Sequence, residues 1–148
     1  MEGIKVIATN RRASYDYFLS SPIEAGLELV GTEIKSLKVN GASLNDSYVI
    51  IRNNEAFLLN MHIAIFKEGN IFNHDPLRTR KLLLHKNEIL KLQQKVKEKG
   101  YTLLCTKVYL KNGRAKCEIA LGKGKKLYDK RESEKEKSQK KEMQRMKG

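Results

Sequence analysis

Thr102-Leu103-Leu104-Cys105-Thr106-Lys107-Val108-Tyr109-Leu110-Lys111-Asn112-Gly113-Arg114-Ala115-Lys116-Cys117-Glu118-Ile119-Ala120-Leu121 spells a β-hairpin. A type I′ turn needs positive φ at both central residues, and Asn-Gly meets that need best. The flanking runs are apolar and rich in strand formers. A two-residue loop at Asn112-Gly113 sets Val108 opposite Cys117 and Cys105 opposite Ala120. Alternation then sorts the side chains between two faces. Leu104, Val108, Leu110, Ala115, Cys117, Ile119 and Leu121 form a core face. Cys105, Lys107, Tyr109, Lys111, Arg114, Lys116 and Glu118 form the other, so the two cysteines are expected on opposite sides and unbonded. The second face is a basic ribbon with one aromatic, a composition that suits phosphates with room for stacking. An ordinary solvated strand face has the same composition.

Outward from this hairpin the strand signals continue. Residues 44–51 and 56–61 flank Asn53-Asn54, a pair that tolerates positive φ, and predict a second hairpin. Residues 15–19 and 26–30 predict two more strands, parted by a turn at Ser20-Ser21-Pro22. Thr32 is placed to cap a short helix carrying Ile34 and Leu37 and closing at Asn40-Gly41. Ile89, Leu92 and Val96 repeat at helical spacing within 86–99, and Gly100 stops that helix. Residues 80–84 fit a strand or the first turns of the same helix. The expected fold class is mainly β: a small closed antiparallel barrel of the oligonucleotide-binding kind, about six strands, with two or three helices.

The 148 residues carry 30 Lys and Arg against 17 Asp and Glu, a formal charge of +13. The excess has two parts. Residues 1–122 are long enough to bury one core and are themselves basic. Residues 123–148 form a basic tail whose only large apolar side chains are Leu127, Tyr128, Met143 and Met146. Ordering a backbone costs roughly 1–2 kcal/mol per residue, which so few cannot offset, so the tail is expected to be disordered when free. A basic body joined to a basic arm seeks a polyanion, and RNA fits. No long apolar run spans a membrane and no signal segment is visible. With two cysteines and no disulfide framework, a cytoplasmic protein is expected.

Signs of catalysis are lacking. His62, His74 and His85 make no zinc-ligand spacing, and Gly122-Lys123-Gly124-Lys125-Lys126 is not a phosphate-binding loop. His74-Asp75-Pro76 reads as a turn. The expectation is a protein that is not an enzyme, with no cofactor, metal or small-molecule substrate. Asn10-Arg11-Arg12 precedes Tyr15, Tyr17 and Phe18, a juxtaposition of guanidinium and aromatic groups suited to RNA.

Five longer stretches carry a specific likeness: Gly31-Thr32-Glu33-Ile34-Lys35-Ser36-Leu37, Asn60-Met61-His62-Ile63, Phe72-Asn73-His74-Asp75-Pro76, Arg80-Lys81-Leu82-Leu83-Leu84-His85-Lys86 and Gly124-Lys125-Lys126-Leu127-Tyr128-Asp129-Lys130-Arg131. Through them the chain resembles the SsrA-binding (small protein B) family along essentially its full length. The resemblance implies a barrel that holds the tRNA-like domain of transfer-messenger RNA and brings it to the vacant A site of a stalled ribosome. Peptide tagging and ribosome rescue, the process of trans-translation, would follow. The partners implied are transfer-messenger RNA and the ribosome. By the resemblance and the ribbon together, Asn10, Arg11, Arg12, Glu33, Lys35, Lys107, Tyr109, Arg114 and Lys116 are the expected RNA contacts. Lys125, Lys126, Leu127, Tyr128, Asp129, Lys130 and Arg131 are expected at the decoding centre. Lys135, Lys137, Lys140, Lys141 and Arg145 are expected along the empty mRNA channel, where the tail would become helical. Tyr15 stands where the family usually has His, replacing an imidazole with a phenol that still offers a stacking face. The other reading of the same composition is a constitutive ribosomal or ribosome-assembly protein whose tail threads rRNA.

Overall fold

The computed structural model describes residues 3–68 and 73–125. The Asn112-Gly113 hairpin comprises β6 (Thr102–Lys111) and β7 (Arg114–Gly124). Asn112 and Gly113 take φ of +52° and +82°, the positive pair that the turn requires. Lys111 faces Arg114 and Val108 faces Cys117, as expected. Past Thr106 the register slips by one residue, so Cys105 faces Ile119 and Leu104 faces Ala120. One inserted residue flips every side chain beyond it to the other face. Cys105 therefore turns inward beside Cys117, both thiols free and fully buried, and the expectation that they face opposite sides is overturned. The contact with Cys117, together with burial, pushes the Cys105 thiol well above its usual pKa. The slip has a physical cause outside the hairpin. Asn10 donates its backbone N–H to the Thr106 carbonyl at 2.7 Å and its side-chain amide to the Cys105 carbonyl at 3.1 Å. The Thr106 hydroxyl donates to Glu118 at 2.7 Å.

Leu104, displaced from the barrel interior, lies under Gly122. A Cβ at position 122 would stand 2.8 Å from Leu104 Cδ1 and 3.1 Å from Tyr17 Cδ1. Overpacking of this kind costs about 1–3 kcal/mol. Gly122→Ala is thus expected to lower the urea midpoint, and adding Leu104→Val, which removes the clashing atom, to return part of the loss. An unchanged midpoint in the single variant rejects this packing.

Five further strands join the hairpin: β1 (Ile4–Thr9), β2 (Tyr17–Leu27), β3 (Tyr48–Arg52), β4 (Glu55–Leu59) and β5 (Arg80–Leu83). The pairings run β6-β3-β4-β5-β2-β7 and return to β6, closing six antiparallel strands on themselves, with β1 added along the C-terminal half of β6. Asn53 and Asn54, both at positive φ, join β3 to β4 as predicted. The two strands expected around Ser20-Ser21-Pro22 are instead one strand. The turn signal there makes a bulge, with Ser21 at φ +52° and the register shifting between Ser20 and Ile23. A bulge is where a strand accommodates Pro. Residues 80–83 resolve as strand, and β1 is an addition to the expected set.

Three helices complete the described residues: α1 (Arg11–Asp16), α2 (Gly31–Asn40) and α3 (Lys86–Lys99). Tyr15, expected in a strand, lies on α1. α2 begins one residue before Thr32: the backbone N–H of Val30 is taken by Glu33 Oε1 at 2.9 Å, and Thr32 turns to His74. α3 buries Ile89 and Leu92 and ends at Gly100, whose φ of +69° suits a left-handed stop. Leu37, Leu58, Met61, Ile63, Leu82, Val108 and Ile119 fill the barrel, each large apolar side chain contributing about 1.5–3 kcal/mol.

Candidate nucleic-acid interface

The basic ribbon of β6 and β7 is present, but acids thread it. Lys107 stands 3.7 Å from Glu118, and Lys111 stands 3.5 Å from Glu24 on β2. Tyr109, expected to stack on bases, is only 7% exposed, and its hydroxyl donates to Glu24 Oε2 at 2.5 Å. That hydroxyl, with Lys111 and Lys116 nearby, outweighs burial and holds the Glu24 carboxyl below its usual pKa. Burial and the same carboxylate push the phenol upward.

Two adjoining grooves meet at Glu24. One, of about 680 Å³, is lined by Glu24, Gly26, Lys81, Leu83, His85, Lys86 and Lys116, among others. The second, of about 390 Å³, is lined by Glu24, Lys111, Asn112, Arg114 and Lys116. Leu83 is 51% exposed on the floor of the larger groove, an apolar surface bordered by Lys81, Lys86 and Lys116 and by Glu24, Glu55 and Glu88, with Lys81 paired to Glu55 at 2.9 Å. A Cβ at Gly26 would lie 3.1 Å from Leu83 Cβ, so the glycine permits this close approach of β2 and β5. Sequence reading found Arg114 and Lys116 here but missed Glu24, Lys81, Leu83 and Lys86. Lys81 and Leu83 lie on β5 and Lys86 opens α3 just after it, and the closed ring brings this stretch beside Glu24 of β2 and the β6–β7 hairpin.

A second patch surrounds α1. Asn10 spends its side chain on structure: Oδ1 accepts from the N–H of Ala13 at 3.1 Å while the amide holds Cys105, leaving it 8% exposed. Arg11 and Arg12 are exposed, Arg12 pairing with Asp16 at 3.0 Å and lying 5.6 Å from the Tyr15 ring centre. Tyr15 is 73% exposed. Lys125 reaches this patch from the other end of the chain, donating to the Ser14 carbonyl at 3.2 Å and lying over the Phe18 ring. Lys123 lies over Tyr101 and donates to the Lys99 carbonyl at 3.1 Å. Lys123 and Gly124, counted with the tail by composition, belong to β7.

Glu33 is fully buried, as is Arg80. Arg78 meets its carboxylate at 2.7 and 3.1 Å, Arg80 at 2.7 Å, and Val30 supplies a third donor. Arg80 also donates to the carbonyls of Met61 and Pro76. Burial alone would raise the Glu33 carboxyl, but the Arg78 bonds, the Val30 N–H and Arg80 together hold it below 4.5. Expected as an RNA contact, Glu33 is an internal brace joining α2, β5 and the segment before it, with no atom free to touch RNA. Lys35, two residues on and so on the opposite side of α2, is exposed. His74 forms no dyad with Asp75. Its Nε2 donates to the Ile63 carbonyl and its Nδ1 accepts from Thr32, both at 2.9 Å, a tautomer fixed by the carbonyl, while Asp75 caps a turn at Leu77. Lys126, Leu127, Tyr128, Asp129, Lys130, Arg131, Lys135, Lys137, Lys140, Lys141 and Arg145 lie outside the described residues, as does the expected disorder of the tail.

Known proteins resemble this chain along most of its length. A family model described as "SmpB protein" matches residues 7–148. The SsrA-binding protein of Caldicellulosiruptor bescii is 58% identical over 130 residues, 88% of this chain and 82% of that one. The SsrA-binding protein of Clostridium tetani is 55% identical over 141 residues, 95% of this chain and 90% of its own. A solved chain from work described as "tmRNA-SmpB: a journey to the center of the bacterial ribosome" superposes with a TM-score of 0.69 at 42% identity. That match covers 88% of this chain and 92% of the other, and accords with the oligonucleotide-binding-like fold.

Proposed function

Since this chain belongs to the SmpB protein family, we propose that its folded body grips the tRNA-like domain of transfer-messenger RNA while its C-terminal segment engages the ribosome. It is an RNA-binding protein of trans-translation, with transfer-messenger RNA and the ribosome as partners. Family membership does not favour a constitutive ribosomal component. The observation that carries the division of labour is the pair of grooves at Glu24. Apolar Leu83 offers a surface for an unpaired base or a ribose; Lys86 and Lys116 offer donors to phosphates beside it, and Arg114 offers another in the adjoining groove. Arg11, Arg12 and Tyr15, on the separate α1 patch, add a second contact by charge and stacking. The segment from Lys126 onward enters the empty mRNA channel past the decoding centre and becomes helical there. Its density of basic side chains and lack of an apolar stripe support that reading. The protein positions RNA and does not itself catalyse. No helix among the described residues is long and apolar enough to cross a membrane, and the cytoplasm, where ribosomes work, is the proposed compartment.

Arg114→Gln with Lys116→Gln tests the groove. Each phosphate contact contributes roughly 0.7–0.9 to the salt slope of binding. The double variant is expected to bind a tRNA-like RNA about 10-fold more weakly near physiological salt, with the slope reduced by about 1.5. Filter binding across a KCl series reads both, and a slope equal to that of the unaltered protein removes these two residues from the interface.

A further inference from the structure

We propose that Lys125 is a positioning residue: it pins the C-terminal end of α1 and so holds Arg11, Arg12 and Tyr15 where they meet RNA. The role rests on the reading above that those three side chains touch RNA. By composition Lys125 is one more phosphate-seeking cation of the tail, but its ammonium is already committed to the body.

α1 has little to hold it together. Its six residues, Arg11–Asp16, make fewer than two turns, and helices shorter than about 12–15 residues are marginal without tertiary support. Only Ala13 is buried. The N-terminal end is tied by Asn10, whose Oδ1 accepts from the Ala13 N–H. The backbone and side-chain N–H groups of Asn10 reach the carbonyls of Thr106 and Cys105 on β6.

The other end lacks such a tie of its own. α1 carries no basic residue in its last turn, where a cation favours the helix dipole. The Tyr17 N–H bonds the Ala13 carbonyl, and β2 begins at that residue. The next carbonyl, that of Ser14, takes its donor from Lys125 at 3.2 Å. The same ammonium lies 5.2 Å from the centre of the Phe18 ring. Lys125 therefore joins the end of α1 to β2 from the end of β7. Arg12 pairs with Asp16 and lies near Tyr15, both within α1, so the helix as a body sets where its outward side chains aim.

β7 uses the same device two residues earlier. Lys123 donates to the carbonyl of Lys99, the last residue of α3, at 3.1 Å and lies 5.2 Å from the centre of the Tyr101 ring. Two lysines thus fasten two helix C-termini to the end of one strand. α3, with 14 residues and a buried face, has other support; α1 depends on its ends.

The test compares three full-length proteins. Lys125→Met keeps the aliphatic stem and removes donor and charge. A patch variant carries Arg11→Gln, Arg12→Gln and Tyr15→Ala, and a third protein carries all four changes. Affinity is measured for the isolated tRNA-like RNA and for 70S ribosomes with an empty A site. On the tRNA-like RNA the patch variant is expected to lose about 30-fold and Lys125→Met about 3–5-fold. The combined protein is expected to bind within about two-fold of the patch variant, because a residue acting through α1 has nothing left to aim. Amide exchange at Ala13 and Tyr17 is expected to quicken several-fold in Lys125→Met, with α3 unchanged. Lys125→Arg, which restores donor and charge, is expected to reverse both effects. Losses that multiply make Lys125 a phosphate contact in its own right and overturn the proposal, as does full RNA affinity in Lys125→Met. If the patch variant lost affinity for ribosomes alone, the reading that α1 meets the tRNA-like RNA would fall, while the same comparison on ribosomes would still decide Lys125. If it lost neither, α1 would not touch RNA and the proposal would fall with that reading.

Discussion

Glu33→Ala is expected to lower stability by about 3–5 kcal/mol, the cost of breaking a buried ion pair by removing one partner. For a body of this size that corresponds to a fall in melting temperature of roughly 10–25 °C. Arg80 has no exposed surface, so the lost carboxylate leaves a buried guanidinium with only the carbonyls of Met61 and Pro76 for partners. Arg78, whose side chain is 36% exposed, rehydrates and contributes little to the loss. Glu33→Gln keeps an acceptor but not the charge, and is expected to lie between the two. The same brace gives a pH dependence. The folded-state carboxyl is held below its usual 4.5, so its contribution is complete above that value and is lost as the pH falls through the lower folded value. The gap between thermal melts of the natural and Glu33→Gln proteins should therefore hold from pH 7 down to about 4.5 and narrow as the pH is lowered further. Below its melting transition the variant is expected to hold tRNA-like RNA within a few-fold, because no Glu33 atom reaches the surface. A normal melting temperature coupled to a large loss of RNA affinity would return Glu33 to the interface.

Ending the chain after Lys125 is expected to abolish peptide tagging while leaving tRNA-like RNA affinity within a few-fold. The ring closes without the removed residues: β7 is complete at Gly124, and Lys125 already makes its contacts to Ser14 and Phe18. The proposed RNA grooves lie wholly within residues 24–116. What is removed is the arm assigned to the mRNA channel. Tagging in a reconstituted stalled-ribosome assay, beside filter binding of the same preparation, separates the two outcomes. Tagging that survives truncation, or RNA binding that disappears with it, contradicts the division of labour.

The parts of this fold that could be read from sequence are those whose cause is local. Asn112-Gly113 and Asn53-Asn54 dictate their turns through φ alone, and Ile89, Leu92 and Val96 dictate α3 through periodicity. The errors fall where a distant segment decides. Nothing near Thr106 announces the bulge that reverses Cys105, because its partner is Asn10. Ser21-Pro22 carries strong turn chemistry, yet pairing of β2 with β7 on both sides of it keeps the strand whole. β1 has six residues and a single described partner, β6, about a hundred positions later. At the candidate interface, Arg114 and Lys116 were legible because a hairpin's alternation exposes them. Glu24 and Leu83 were not, since their meaning arises only where β2, β5 and β7 meet. Glu33 was misplaced because a lone acid in a basic chain reads as surface chemistry until Arg78 and Arg80, 45 and 47 positions away, are seen to enclose it.

The order in which the ring closes bears on how the chain matures as it is made. β1 waits for β6, and β2 gains most of its pairing from β7, so the first strands translated stay unzipped until the last are available. Pairings this far apart along the chain fold slowly and expose strand edges in the interval. A nascent copy therefore cannot complete its barrel until almost the entire body has left the peptide exit tunnel, and its acquisition of RNA is a post-translational event.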